Sequence, residues 1–213
     1  MKGIIFDLDG VLVDTAKYHF LAWKRLAEEL GISFKEEENE QFKGVSRMKC
    51  MDILAEMGNL TLSNEEKETL ATRKNNWYRD YISKMDEKEI LPGALDFLKE
   101  IKSAGIATAL GSASKNARMI LEKTGMASYL DVIIDGNSVS RAKPDPEVFL
   151  KGAEGMALPP EECVVFEDAR AGIEAALKAG MKAVGIGDRE ILKSAHMVFT
   201  SMQDLHLSDL GEV

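Results

Sequence analysis

Cysteine is scarce in this sequence, which narrows the ways in which the fold can be stabilised. The chain has 213 residues and only two cysteines, Cys50 and Cys163, which lie far apart and form no Cys-x-x-Cys or Cys/His cluster. We therefore expect neither a disulfide framework nor a structural zinc site, and both thiols should be free. Folding a chain of this length buries roughly 70% of its unfolded surface, so a stable core needs no such staple.

Long hydrophobic runs are also missing. No stretch approaches the roughly 18 apolar residues of a membrane-spanning helix. The apolar run at the N-terminus, Ile4-Ile5-Phe6, is far shorter than the core of a signal peptide. The sequence therefore predicts a soluble cytoplasmic protein that does not bind membranes.

The sequence also has no excess of basic over acidic residues. The chain carries 27 Lys and Arg residues against 36 Asp and Glu residues, which gives a net charge of −9. This balance argues against nonspecific binding to nucleic acid or to an anionic membrane surface. It leaves a phosphorylated substrate open, because a pocket can be locally basic. The sequence also shows no heptad or internal repeat, so we expect a monomer.

Short apolar segments alternate with helical patterns along most of the chain. The segments typical of buried strands are Ile4–Phe6, Ile106–Leu110, Val132–Ile134, Val164–Phe166 and Ala183–Ile186. Such alternation favours an α/β fold, in which a parallel sheet carries helices on both faces.

One region interrupts this alternation. Apolar residues recur at helical spacing from Thr15, a candidate N-cap, to Leu30, and Gly31 should end that helix. Between residues 33 and 85 no convincing strand is present, and Ser63 with Glu66 forms a capping-box pattern. We therefore predict an all-helical cap domain at 15–86, inserted into a core domain formed by 1–14 and 87–213.

Polar residues follow several of the predicted strands at the point where each strand ends. Asp7 and Asp9 follow the first strand, Ser112 the second, and Glu167 with Asp168 the fourth, while Lys143 lies in the loop after the third. Ligands of open parallel sheets bind at the carboxyl ends of the strands. The topology should therefore bring these scattered residues around one crevice.

The chemistry of these side chains points to phosphoryl transfer. Asp7 is ionised at neutral pH and can attack phosphorus directly, and Asp9 on the following turn can act as general acid and base. The strand-end carboxylates suit Mg²⁺, and Lys143 and the Ser112 hydroxyl can bind phosphate oxygens. Each residue alone is more often a turn, cap or surface residue. The prediction depends on their joint occurrence at successive strand ends.

This order of motifs resembles the haloacid dehalogenase superfamily of aspartyl phosphotransferases. The segment from Phe6 to Thr15 (FDLDGVLVDT) matches its most specific signature, and Ser112, Lys143 and Glu167-Asp168 match its later motifs. The resemblance covers essentially the whole chain. It implies the Rossmann-like parallel sheet of that superfamily with a mobile helical cap.

Within this superfamily the sequence looks like the β-phosphoglucomutase family. The matching segments are Thr15–Phe20, Ala22–Lys24, Phe42–Arg47, Arg73–Asn75 and Ser112–Asn116. That family interconverts β-D-glucose 1-phosphate and D-glucose 6-phosphate through a phospho-aspartyl enzyme and β-glucose 1,6-bisphosphate. The resemblance therefore implies a Mg²⁺-dependent isomerase of carbohydrate metabolism whose partners are small sugar phosphates.

The resemblance also implies a role for each matched residue. Asp7 would be the nucleophile and Asp9 the acid/base, while Asp7, the Asp9 carbonyl, Glu167 and Asp168 would hold Mg²⁺. The predicted partners of the transferring phosphoryl group are Ser112, Ala113 and Lys143. Those of the distal phosphate are Arg47, Ser114, Lys115 and Asn116. Gly44, Val45 and Lys74 would lie at the sugar, and His19 would link cap closure to Asp9.

Two departures and two alternatives accompany this reading. Cys50 stands where the mutase pattern has serine, and Phe42 where an aliphatic residue is commoner, so the cap pocket is expected to differ.

The core motifs do not separate a mutase from a phosphatase acting on a small sugar phosphate or phosphoglycolate. A non-catalytic binding protein would be expected to lack Asp7, Asp9 or Asp168, and all three are present.

Overall fold

A parallel sheet and a helical insert make up the protein. The computed structural model describes residues 1–203 and 205–211. Within them the strands are β1 Gly3–Phe6, β2 Ala107–Gly111, β3 Val132–Ile134, β4 Cys163–Glu167, β5 Lys182–Ile186 and β6 Met197–Phe199. The α-helices are α1 Ala16–Glu29, α2 Arg47–Met57, α3 Asn64–Ile82, α4 Ala94–Ser103, α5 Ala117–Thr124, α6 Glu147–Gly155 and α7 Arg170–Lys178. Short 3-10 helices span Glu36–Phe42, Glu87–Glu89, Met126–Tyr129, Pro160–Glu162 and Leu207–Leu210.

The sheet has the strand order β3-β2-β1-β4-β5-β6, and all its strand pairs are parallel. The five predicted strands are present, with ends that differ by about a residue, and the α/β prediction is confirmed. The sequence analysis missed β6, a three-residue edge strand too short to show a pattern. The chain runs outward from β1 in one direction and from β4 in the other. A crevice therefore opens between the carboxyl ends of these two strands.

Apolar side chains cover both faces of the sheet. Ile4 and Phe6 of β1 belong to one buried cluster and Ile5 to another, as the two-residue period of a strand requires. Phe6 packs against Phe97 of α4 with ring centroids 6.3 Å apart, and Phe149 of α6 is buried in the cluster of the opposite face. Helices on both faces thus hold β1 rigidly, together with the residues at its end.

The insert has an apolar cluster of its own. Trp23, Phe34 and Met51 are buried there with residues from α1, α2 and α3. The predicted capping box begins α3, since Ser63 Oγ accepts from the Glu66 amide at 3.3 Å and Glu66 Oε2 from the Ser63 amide at 2.8 Å. The helical cap predicted from the sequence is confirmed. In the part of the chain that is described, no helix combines the length and apolarity needed to cross a membrane.

One local prediction is confirmed in position but not in its hydrogen bond. Thr15 lies at the N-cap of α1, but its side chain makes no hydrogen bond to the helix. Its hydroxyl donates instead to Asp9 Oδ1. The Thr15 backbone has φ −107° and ψ −5°, in the αR region, and not the extended values with which a capping side chain reaches the amides of the first turn.

The two chain segments that join the cap to the core run side by side. Asp14 N donates to Glu89 O at 2.8 Å, Leu91 N donates to Leu12 O at 3.0 Å, and Val13 forms an antiparallel bridge with Ile90. These bonds tie both crossings to the turn after β1. The cap is therefore anchored at the edge of the sheet where Asp7 and Asp9 lie.

Candidate active site

A cavity of about 280 Å³ lies between the cap and the carboxyl ends of the strands. The structure brings all but one of the predicted site residues to its wall: Asp7, Asp9, His19, Gly44, Val45, Arg47, Lys74, Ser112, Ala113, Ser114, Lys115, Asn116, Lys143 and Asp168. Glu167 is fully buried and lies outside this lining. Residues separated by up to 161 positions in the sequence thus meet around one space.

The end of β1 carries a buried charge cluster. Asp7 continues the ladder to β4, since its amide donates to Phe166 O at 2.9 Å. Lys143 Nζ lies 2.6 Å from Asp7 Oδ1 and 2.6 Å from Glu167 Oε1. Glu167 Oε2 accepts from the Ala169 amide at 2.8 Å. Lys143 therefore lies between two carboxylates: that of Glu167, which is fully buried, and that of Asp7, which lines the cavity.

The protonation of this cluster follows from its burial. Burial lowers the pKa of Lys143, but Asp7 and Glu167 more than offset it, so the net shift is upward. Burial and the Asp7 charge raise the pKa of Glu167, while Lys143 acts in the opposite direction. We take the lysine as an ammonium ion, because two carboxylate oxygens lie within hydrogen-bond distance of it.

Asp9 sits two residues beyond Asp7, on the turn that enters the cap. Burial and the Asp7 charge raise the pKa of Asp9 to about 6, while the hydrogen bond from Thr15 and the charges of Lys143 and Lys74 lower it. A carboxyl group with such a pKa can both give and take a proton near neutral pH.

Asp168 closes the opposite side of the cavity. Gly10 adopts a left-handed conformation with φ +84°, and a Cβ there would lie 2.2 Å from Asp168 Oδ2, so only glycine permits this approach. Lys43 Nζ of the cap lies 3.7 Å from Asp168 Oδ2. Burial, Glu167 and Asp7 raise the pKa of Asp168 well above its usual range, and Lys43 only partly opposes them.

These carboxylates are candidates for a metal site. Within residues 1–203 and 205–211, no group of three or more His, Cys, Asp and Glu side chains is arranged to hold a metal ion. Asp7 and Glu167 point to Lys143, and Asp168 points to Lys43. Their oxygen donors nevertheless suit a hard divalent cation. Burial is the largest cause of the raised pKa of Asp168, and the charges of Glu167 and Asp7 add to it. A cation beside Asp168 would offset both causes, so the donor set fits such an ion.

The loop after β2 forms the wall next to Asp7. Ser112 is fully buried, and its Oγ accepts from the Ser114 amide at 3.1 Å. Ser114 Oγ accepts in turn from the Asn116 amide at 3.2 Å. Asn116 Nδ2 donates to Asn75 Oδ1 of α3 at 2.9 Å. This last bond crosses from core to cap, so the two parts of the chain are in direct contact beside the cavity.

Two cations without acidic partners line the cavity away from Asp7, one on the cap and one on the core. Arg47 begins α2, directly after Ser46, whose Oγ caps the helix by accepting from the Lys49 amide at 3.2 Å. Lys115 lies in the loop opposite, on the core. In the described part of the chain neither cation has a carboxylate within 4 Å. Both are therefore available to an anion that enters the cavity.

Lys74 of α3 is a buried cation of a different kind. Its Nζ lies 3.1 Å from His19 Nδ1 and over the rings of Trp23 and Tyr78, at 4.6 and 4.8 Å from their centroids. Burial lowers the pKa of Lys74 to about 7. Burial, together with Lys74 and Arg47, also holds the pKa of His19 well below its usual range. The imidazole is therefore neutral, and when Lys74 is protonated its Nδ1 can accept a hydrogen bond from the ammonium group.

The two residues that depart from the mutase pattern meet at the cap wall. Cys50 Sγ donates to Phe42 O at 3.6 Å, and burial raises the pKa of this thiol to about 12. The Phe42 ring packs edge-on against Trp23, with centroids 5.2 Å apart. Cys163 is also a free, buried thiol, so the prediction of unpaired cysteines holds for both.

Sequence reasoning missed several wall residues. Asn39, Lys43 and Arg141 line the cavity although no role was predicted for them. Lys43 stands inside a matching segment, but its pairing with Asp168 depends on how the cap docks. Gly44 marks that docking, since a Cβ there would lie 2.9 Å from Ala169 Cβ. In the sequence, the only local sign of this contact between cap and core is that Gly44 follows Lys43.

Comparison with known proteins agrees with this geometry. A β-phosphoglucomutase of Bacillus subtilis is 40% identical over 214 residues, covering 100% of this chain and 95% of that protein. A phosphorylated carbohydrates phosphatase of Thermotoga maritima is 33% identical, covering 86% and 84%. The crystal structure of a β-phosphoglucomutase from Clostridium difficile superimposes with a TM-score of 0.94 at 42% identity, covering 99% of this chain and 95% of that one.

The family model for haloacid dehalogenase-like hydrolases matches residues 1–180. This range includes the whole cap and the ends of β1, β2 and β4, with every residue that lines the cavity. The chain belongs to the haloacid dehalogenase-like hydrolase family.

Proposed function

We propose that this protein is a β-phosphoglucomutase, which interconverts β-D-glucose 1-phosphate and D-glucose 6-phosphate through β-glucose 1,6-bisphosphate. One observation supports this specific activity within the family: the cavity between core and cap has the candidate nucleophile Asp7 at one end and the unpaired cations Arg47 and Lys115 at the other. Such a cavity suits a sugar with a phosphate at each end. The similarity to two β-phosphoglucomutases over the full chain supports the same activity.

The charge of the cavity supports a substrate with two phosphates. Six cationic residues line it, against three carboxylates, in a chain of net charge −9. The cations are Lys43, Arg47, Lys74, Lys115, Arg141 and Lys143. A locally basic pocket in an acidic protein attracts anionic ligands to that pocket and not to the surface as a whole.

The core residues would carry out the transfer. An oxygen of the Asp7 carboxylate forms a bond to phosphorus while the bond from phosphorus to the sugar oxygen breaks, and Asp9 gives a proton to that leaving oxygen. In the return step a sugar hydroxyl attacks phospho-Asp7, and Asp9 takes its proton. Lys143, Ser112 and Ala113 would bind the oxygens of the transferring group.

The cap side would hold the second phosphate. Arg47 can pair with two phosphate oxygens through its planar guanidinium, and Ser114, Lys115 and Asn116 face it from the core. Because the bisphosphate must rebind with its phosphates exchanged, the cap has to open once in each cycle. The closed cap would also keep water from phospho-Asp7.

The sugar would lie between these two ends. Gly44 and Val45 would line it from the cap, with Lys74 and His19 beside them. Lys74, which contacts His19, is close enough to Asp9 for its charge to lower the pKa of that carboxyl. We propose that His19 links cap closure to the position of Asp9.

A divalent metal ion, which we propose is Mg²⁺, would complete the core end. Asp7, the Asp9 backbone carbonyl, Glu167 and Asp168 are the residues that would hold it. When bound, such an ion neutralises phosphate oxygens that otherwise repel the Asp7 carboxylate. The chain itself already supplies part of that neutralisation through Lys143.

We also propose the domain division predicted from the sequence, with the cap at 15–86 and the core at 1–14 and 87–213. The paired crossings at residues 12–14 and 89–91 lie close to these boundaries. The cytoplasmic location, the absence of nucleic-acid binding and the monomeric state remain predictions.

The proposal is tested by a product assay. The protein is incubated with β-glucose 1-phosphate, Mg²⁺ and a trace of acetyl phosphate, which phosphorylates Asp7. The formation of glucose 6-phosphate and of inorganic phosphate is measured in parallel. We expect glucose 6-phosphate in proportion to substrate consumed, with little free phosphate. Asp7→Asn, which removes the nucleophile but little volume, should show no turnover and serves as the control. Release of glucose and phosphate would instead establish the phosphatase alternative.

A further inference from the structure

Asn75 of α3 lies on the cavity wall, and nothing in its sequence context implies a role for it. Its Oδ1 accepts a hydrogen bond from Asn116 Nδ2 of the core at 2.9 Å. Apart from the bonds made by residues 9–18, two side-chain hydrogen bonds or ion pairs join cap and core in the described part of the chain. They are this bond and the contact of Lys43 with Asp168. The two carboxamides therefore form one of the few polar contacts between cap and core.

Asn116 lies at the end of the loop after β2, where two serines are fixed by bonds within the core. Ser112 Oγ accepts from the Ser114 amide at 3.1 Å, and Ser114 Oγ accepts from the Asn116 amide at 3.2 Å. Asn116 occupies the N-cap position of α5, but its side chain makes no capping hydrogen bond. Among the described residues, the one hydrogen bond of that side chain is to Asn75. The cap therefore supplies the contact that orients it.

The geometry of a carboxamide lets this one contact prepare another. Asn116 Nδ2 carries two hydrogens in the plane of the amide group. When one hydrogen is donated to Asn75 Oδ1, the direction of the other is fixed, and it can be donated to an oxygen of an anion in the cavity. Without Asn75, the same anion would have to order a side chain that rotates freely, which costs free energy of binding.

We propose that Asn75 is a positioning residue for the distal phosphate of the substrate, and that it acts through Asn116. Because Asn75 belongs to the cap and Asn116 to the core, opening the cap breaks the bond between them. Cap closure and binding of the distal phosphate therefore favour each other. This inference rests on the proposed function, in which Asn116 and Arg47 bind that phosphate.

Asn75→Ala tests the proposal, because it removes the acceptor of the Asn116 bond. We expect kcat/KM for β-glucose 1-phosphate to fall about tenfold, the effect of one hydrogen bond. Hydrolysis of acetyl phosphate, which has no distal phosphate, should change less than about twofold. The melting temperature should stay within about 2 °C of wild type, because both side chains are half-buried and water can replace the lost bond. Equal losses on the two substrates would overturn the proposal.

Asn76→Ala is the matched control. It makes the same substitution at the next residue of α3, where the side chain is exposed. This variant should keep the wild-type kcat/KM for β-glucose 1-phosphate. If it lost as much activity as Asn75→Ala, the effect would belong to the helix and not to the bond with Asn116, and the proposal would be wrong.

A double-mutant cycle with Asn116→Ala tests the route. If Asn75 acts through Asn116, Asn75→Ala should change kcat/KM for β-glucose 1-phosphate by less than about twofold in the Asn116→Ala background. A full tenfold effect there, or a wild-type value in the single Asn75→Ala variant, would overturn the proposal.

The same variants separate this inference from the proposed function. If the wild-type protein releases glucose and phosphate and forms no glucose 6-phosphate, the proposed function fails. The cycle is then measured on that hydrolysis, with acetyl phosphate again as the comparison. A loss confined to the sugar phosphate and absent in the Asn116→Ala background would keep Asn75 as a positioning residue, while equal losses on both substrates would overturn it.

Discussion

The two ends of the cavity differ in how their charges are balanced. At the core end, Lys143 lies 2.6 Å from both Asp7 and Glu167, and all three side chains are buried. At the cap end, Arg47 and Lys115 have no carboxylate nearby, and Lys74 is buried against aromatic rings and the neutral His19. At the core end the charges already form ion pairs before substrate binds. At the cap end, Arg47 and Lys115 form an ion pair only when an anionic ligand binds.

This contrast separates catalysis from recognition. Groups that meet developing charge act best when they are fixed in advance, because no reorganisation is then needed during the reaction. A closing cap has the opposite need, since a ligand shifts an equilibrium only through affinity that differs between its two states. Arg47 on the cap and Lys115 on the core provide that difference, because an anionic sugar phosphate contacts both only when the cap is closed.

The largest expected effect comes from breaking the core end. Lys143→Met leaves Asp7 and Glu167 buried without a cation, so the free energy of unfolding should fall by about 3–5 kcal/mol. Urea unfolding in EDTA at pH 8 measures this, and added Mg²⁺ should restore part of the loss. Turnover should be lost as well, because the phosphoryl group loses its lysine.

Lys2→Met is the control for that variant. Lys2 forms an exposed ion pair with Glu162 at 2.8 Å, and exposed pairs contribute about 1 kcal/mol or less. If the free energy of unfolding fell by a similar amount in both variants, Lys143 would not be stabilising the two buried carboxylates.

The next effect concerns the cap end. Arg47→Ala removes an unpaired cation, so kcat/KM for β-glucose 1-phosphate should fall about 100-fold, the value of charge-assisted hydrogen bonds to one phosphate. Hydrolysis of acetyl phosphate, which has no distal phosphate, should change less than about threefold. Lys49→Ala, an exposed cation on the same helix, should affect neither reaction. Equal losses on both substrates would place Arg47 at the reacting phosphate.

The sequence predicted more of the core end than of the cap end, for a physical reason. Asp7, Ser112 and Glu167 follow apolar strands, and parallel topology alone brings strand ends together. The pairing of Lys43 with Asp168, by contrast, depends on the docking of one domain on another, which no local pattern encodes. The partner of the Thr15 hydroxyl was equally hidden, because local rules assign this side chain to a helix cap and not to Asp9.

A smaller effect tests the charge of Lys74. Its pKa is about 7 in the folded protein and 10.5 when unperturbed, so the unfolded chain binds more protons between these values. Stability therefore rises with pH above 7, as the folded protein loses the buried ammonium. Between pH 7 and 8.5, wild type should gain about 1–2 kcal/mol relative to Lys74→Met in urea unfolding. Parallel pH profiles for the two proteins would mean that Lys74 is paired.

The smallest effect should come from Cys50, the polar group of the cap wall that already has a partner. Its thiol is neutral at physiological pH and donates to the Phe42 carbonyl at 3.6 Å. A serine hydroxyl can make the same bond, so Cys50→Ser should change kcat/KM for β-glucose 1-phosphate by less than about threefold. The neutral, buried thiol should also resist iodoacetamide at pH 8 in the folded protein. A tenfold change in kcat/KM would instead mean that residue 50 contacts the sugar, and the cap end would then recognise its ligand through the wall as well as through Arg47 and Lys115.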